Sequence, residues 1–135
     1  MRIMAIDYGE VRTGIAVSDA LGILCGEAWT LSLSGINRVA TAIAEEAKKR
    51  NVSRLVLGLP RNMDGSEGHR AGESRRLKEK IEALCDIPVF LWDERRTTVD
   101  AHRILHESGK KQIKHKKLVD AVAASLILEG YLGTV

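Results

Sequence analysis

Residues 2–18 read RIMAIDYGEVRTGIAVS, two apolar runs on either side of a short polar turn. The first, RIMAID (2–7), is predicted as a strand buried on both faces, and the second, TGIAVS (13–18), as its hairpin partner across Tyr8 to Arg12. A third extended run, Leu24 to Ser32, follows Gly22 after a gap from Asp19 that suits another hairpin. Three antiparallel strands therefore open the fold.

Beyond them the pattern changes period. INRVATAIAEEAKKR (36–50) spaces Val39, Ile43 and Ala47 four apart and ends in basic residues that suit a helix C-terminus. RLVLGL (54–59) is a short strand stopped by Pro60, and PRNMDGSEGHRAGES (60–74) is a polar, Gly-rich segment longer than usual connections. Further elements are expected as a helix from about Arg70 to Leu84, a strand Pro88 to Trp92 and a helix from about Thr98 to Glu107. A basic loop, Ser108 to Lys117, and a last helix ending at Leu132 complete the chain. The order βββαβαβαα predicts one α/β domain over residues 1–135, a five-stranded mixed sheet flanked by helices.

The composition, 44% hydrophobic and 29% charged over 135 residues, is that of an ordinary globular domain that needs no disulfide. Cys25 and Cys85 show no CxxC spacing and are expected to be reduced thiols of a cytoplasmic protein. The N-terminal apolar run meets Asp7 at once, too soon for a signal peptide, and nothing approaches the roughly 20 apolar residues of a membrane span. Net charge is +3 with a pI near 9.0. Its basic clusters make a polyanion the expected partner.

Three carboxylates stand where apolar stretches meet their first acids. Asp7 closes the first strand, at the edge where α/β sheets bind ligands; a turn aspartate is the plain alternative. Glu94 follows VFLW beside Asp93, at the end of a strand expected next to the centre of the sheet, and since neighbouring strand residues face opposite ways, only one of the two acids can turn toward Asp7. Asp120 lies near the start of a helix that is apolar nearly all round and therefore buried, where a simple dipole-stabilising acid is the alternative. Acids near a core cost several kcal/mol unless compensated, so three of them suggest a shared cation. Oxygen ligands suit Mg²⁺ or Mn²⁺, and such ions serve phosphodiester hydrolysis.

The basic residues match that chemistry. Lys110, Lys111, Lys114, Lys116 and Lys117 occur without an acid just before Asp120, with Lys114, Lys116 and Lys117 the nearest candidates for phosphate contact; Arg61, Arg70, Arg75 and Arg76 mark the long segment and the next helix. Other motifs are incomplete. His102 and His106 have zinc-protease spacing, but Arg103 replaces the required glutamate, and neither GxGxxG nor a P-loop is present. Trp29 and Trp92 lie in strand runs and are expected in the core.

DYGEVRTGIAVSD, GLPRNMDG, WDERRTT and LVDAVAASLIL, in this order, resemble the YqgF family, also called RuvX, across essentially the whole chain. These are small bacterial proteins with an RNase H-like fold, related to the resolvase RuvC. The resemblance implies a nuclease, either for 5′-end processing of pre-16S ribosomal RNA or for resolving Holliday junctions in branched DNA. It assigns Asp7, Glu94 and Asp120 to the acidic metal positions, and Arg12, Asn62, Asp64, Arg95 and Thr98 to substrate contact or support of the site. Arg96 departs from the apolar residue relatives often carry there.

The DxG hairpin also resembles the phosphate loop of actin-like sugar and acetate kinases, but those need a second domain for which this chain has no room. A nucleic-acid-binding module without catalysis is a third reading. Phosphate contacts carry little sequence information, so the residues leave RNA or DNA, branched or linear, undecided. Assembly stays equally open: a junction cutter needs two symmetry-related sites as a homodimer, whereas an RNA trimmer works as a monomer.

Overall fold

A computed structural model describes residues 1–94 and 112–134, with backbone alone for 112–119. The strands are β1 (Arg2–Asp7), β2 (Thr13–Ser18), β3 (Cys25–Leu31), β4 (Val52–Leu59) and β5 (Val89–Asp93), and the described helices are α1 (Ile36–Lys49), α2 (His69–Leu84) and α3 (Gln112–Leu132). They form one sheet in the order β3-β2-β1-β4-β5. β1 runs antiparallel to β2 and parallel to β4, β2 is antiparallel to β3, and β5 joins β4 in parallel. The expected mixed sheet is present, with β1 at its centre.

Strand alternation splits the core in two. Met4, Ile6, Ile15, Val17, Leu55 and Leu57 point to one face, where Val39 and Ile43 of α1 and Leu77 and Ile81 of α2 cover them. Ile3, Ala5, Ala16 and Val56 point to the other and meet Ala124, Ile127 and Leu128 of α3. Burying each large side chain contributes about 2 kcal/mol, so both layers are needed to hold the central strand. α1 ends where Asn51 takes the left-handed φ of 56° and its N–H bonds to Lys48 O at 3.2 Å.

Two expectations change. β5 is the edge strand among the described residues, not a neighbour of the central one. The last helix starts at Gln112, so Lys114, Lys116 and Lys117 belong to α3 and not to a loop, and Asp120 sits eight residues past its start. That is more than two turns in, beyond the reach of the helix dipole. The expected helix from about Thr98 to Glu107, with His102 and His106, lies outside the described residues, as do Lys110 and Lys111. Both tryptophans are partly buried against the cores; Arg50 stacks over Trp29 at 4.4 Å, and Trp92 meets Tyr131 edge-on.

Candidate active site

The α3 side of the sheet carries the acids. Ile3 and Ala5 face α3, so alternation turns Asp7 the same way at the C-terminal end of the central strand. In register, Asp7 stands opposite Gly14 of β2, and one step beyond the Ile6–Leu57 pair brings it level with Gly58 of β4. Gly58 in turn pairs with Trp92 of β5, and Glu94, two residues further, lies on the same side as Trp92.

Two glycines thus flank the central aspartate. At Gly14 a Cβ would fall 1.8 Å from the backbone oxygen of Asp120, so the bare strand lets α3 lie directly on the sheet there. This contact sets Asp120 beside Asp7. On the other flank, Glu94 passes above Gly58 and its carboxyl donates a hydrogen bond to Asp7. Of Asp93 and Glu94, the sequence left open which one turns inward; Glu94 does.

Electrostatics follow from that packing. Glu94 is buried, with 7% of its surface exposed. Burial pushes its pKa up to about 10, the hydrogen bond and negative charge of Asp7 add to the rise, and Arg70 opposes it. Asp120 is also raised, first by burial and then by the charge of Asp7, against the pull of Arg12 and Arg70. Arg12 Nε donates to Asp120 Oδ2 at 3.1 Å. The three acids are therefore a hydrogen-bonded pair and a close neighbour. Among the described residues, no three acidic, histidine or cysteine side chains stand close enough to hold a metal ion as they are.

An open cleft adjoins Asp120, lined by Gly9, Glu10, Val11, Arg12, Arg70 and Asp120. Arg12 and Arg70 bring positive charge to a cleft that also holds Asp120 and Glu10, an arrangement able to receive a phosphodiester. Arg70 was legible only as one of several basic residues; its place at the start of α2 aims it here. Its companions are engaged elsewhere: Arg75 grips Glu67 through two bonds of 2.7 and 2.8 Å, Arg61 lies 3.8 Å from Glu67, and Arg76 bonds Glu73 at 2.9 Å.

Asn62 and Asp64 shape the segment between β4 and α2. Asn62 Nδ2 donates to Ser66 Oγ at 2.9 Å, and Asp64 Oδ1 accepts from the Ser66 N–H at 2.9 Å and its hydroxyl at 2.6 Å. Gly65 closes this turn with a φ of 88°. Arg95 and Thr98 lie outside the described residues, and of Lys114, Lys116 and Lys117 only the backbone is described.

Comparison with known proteins gives the family and the fold. A family model described as RuvX, Holliday junction resolvase, matches residues 1–134. A relative from Endomicrobium trichonymphae, named "Putative pre-16S rRNA nuclease", is 47% identical over 132 residues, covering 97% of this chain and 94% of its own. The fowlpox virus Holliday junction resolvase shares the fold over 100% of both chains, with a TM-score of 0.62 at 16% identity. T. thermophilus RuvC in complex with a Holliday junction substrate gives a TM-score of 0.59 at 14% identity, over 99% of this chain and 97% of that one. These structural likenesses place the fold as RNase H-like. Matched from end to end by the family model and by a close relative, the chain belongs to the RuvX family and is a nuclease.

Proposed function

We propose that the chain hydrolyses phosphodiester bonds of nucleic acid with the help of a divalent metal, and that its substrate is the 5′ end of precursor 16S ribosomal RNA. The observation that carries the reading is the meeting of Asp7, Glu94 and Asp120, drawn from three elements, on one side of the sheet. Their chemistry fits a hard divalent ion. Every donor is a carboxylate oxygen, and a proton between Asp7 and Glu94 now does for that pair what a cation would do. Asp7, Glu94 and Asp120 would hold Mg²⁺ or Mn²⁺, which supplies an activated water and charge stabilisation at the leaving oxygen.

The protein's own residues do the rest. Arg12 bonds Asp120 and lines the cleft, so it fixes an acid on one side and meets a phosphate on the other. Arg70 adds a second charge in the same cleft. Asn62 and Asp64 hold the turn leading into α2, while Arg95, Thr98, Lys114, Lys116 and Lys117 are proposed to follow the polyanion further. All three acids come from one chain, which suits a monomer trimming RNA in the cytoplasm. No helix among the described residues is long and apolar enough to cross a membrane.

Names of close relatives support the ribosomal substrate, and the description of the family model supports resolution of branched DNA as the second reading. The test is cleavage of precursor ribosomal RNA and of four-way DNA junctions in parallel, with Mg²⁺ and with Mn²⁺. Asp7→Asn is expected to abolish cleavage with an unchanged thermal melt. Cleavage retained by that variant refutes the nuclease site, and preference for the junction over the RNA overturns the substrate.

A further inference from the structure

Glu94 reaches Asp7 only by crossing a strand. It follows β5 at the sheet edge, Asp7 ends β1 at the centre, and β4 lies between them. Along β4 the residues facing α3 include Val56, which fills its position with core side chain, and then Gly58, which has none. A Cβ at Gly58 would stand 2.4 Å from Glu94 Oε1, 2.6 Å from its Cδ and 2.7 Å from its Cγ. All three distances lie well inside van der Waals contact. Gly58 does not carry a positive φ, so its backbone would accept any residue. Glycine in a strand interior weakens the strand, and here the compensation is space.

We infer that Gly58 is a positioning residue: the missing side chain is the channel through which Glu94 crosses β4 to join Asp7, and it sets the affinity of the acidic cluster for a divalent cation. The inference rests on the metal-dependent reading proposed above. The three atoms nearest a methyl group at position 58 all belong to the Glu94 side chain, which can rotate without a shift of backbone. Gly14 is different in kind, because there the added atom meets the backbone of α3. Gly58→Ala should therefore leave the fold and remove Glu94 from Asp7.

The experiment is calorimetric titration of Mn²⁺ into wild type, Gly58→Ala, Glu94→Ala and the Gly58→Ala/Glu94→Ala double variant, with a metal-free thermal melt of each. Gly58→Ala is expected to weaken Mn²⁺ binding about 10-fold or more. Its melting temperature should stay within about 4 °C of wild type. In the Glu94→Ala background, which lacks the three atoms nearest the methyl, Gly58→Ala should weaken Mn²⁺ binding no further and leave the melt unchanged, whereas a general weakening of β4 would add to the loss. Gly72→Ala, in α2 with nothing within 4 Å of the added atom, serves as the control and should bind as wild type does.

Wild-type Mn²⁺ affinity in Gly58→Ala overturns the inference, as does loss of a cooperative melt or a further weakening by Gly58→Ala in the Glu94→Ala background. Asp7→Asn separates this failure from that of the underlying reading. If Asp7→Asn loses Mn²⁺ binding while Gly58→Ala keeps it, only the role of Gly58 is wrong; if both keep it, the metal site is wrong.

Discussion

Replacing Glu94 with glutamine removes a titrating group from a place where its charge is unwelcome, and the effect on stability can be worked out. Glu94 has an ordinary value of 4.5 and a folded value of about 10, raised chiefly by burial. Between these values the unfolded chain has released the proton while the folded chain keeps it, so folded Glu94 binds more protons and stability falls as pH rises. Below pH 4.5 the penalty is absent. Each pH unit within the window costs about 1.4 kcal/mol, which from pH 5 to pH 8 integrates to a ceiling of about 4 kcal/mol. That figure requires only that the folded value exceed 8, not that it equal 10.

Glutamine matches the protonated acid in shape, donates to Asp7 through its amide and does not titrate. Urea unfolding in EDTA at pH 5, 6, 7 and 8 should show wild type losing stability relative to Glu94→Gln across the series. Adding Mg²⁺ at pH 8 should then raise the stability of wild type and leave that of Glu94→Gln nearly unchanged, since a ligand stabilises only the state that binds it. Parallel pH profiles for the two proteins in EDTA would refute a buried, protonated Glu94.

Two further substitutions test the packing that places the acids. Gly14→Ala puts a methyl against the backbone at Asp120 and is expected to cost about 3 kcal/mol, read from the urea midpoint; an unchanged midpoint would show that α3 does not rest on the strand there. Ile127→Ala opens a cavity where α3 seals the second core, and should also cost about 3 kcal/mol at constant urea dependence. A loss under about 1 kcal/mol would mean that this layer packs loosely.

How much of this was legible depended on whether the deciding contact is local. The β1–β2 hairpin emerged with its bounds intact because apolar runs and a five-residue polar turn lie side by side in the chain. α3 was read as too short because its lysines resemble a solvated loop, although lysine is a good helix former and no glycine or proline interrupts residues 112–129. Strand order was hidden for another reason. Parallel neighbours are joined by long crossovers, and residues 88–92 do not reveal whether their strand is central or at the edge. The three acids could be listed from their apolar surroundings, whereas the choice of Glu94 over Asp93 needed the register of β5 on β4. Gly58 was read only as part of a motif, since its meaning lies in a side chain that arrives from 36 positions further along the chain.

The division of the interior into two layers has a consequence for anyone who wishes to harden this molecule against heat. Only the layer beneath α3 shares its helix with one of the three clustered acids, so tightening or loosening that helix displaces Asp120 along with the apolar residues around it. The opposite layer, between the sheet and α1 with α2, reaches the acids through the strands and through Arg70 at the start of α2. Redesign confined to Val39 and Ile43 of α1 can therefore change durability while the reactive chemistry stays where it is, and an enzyme engineer would begin on that side.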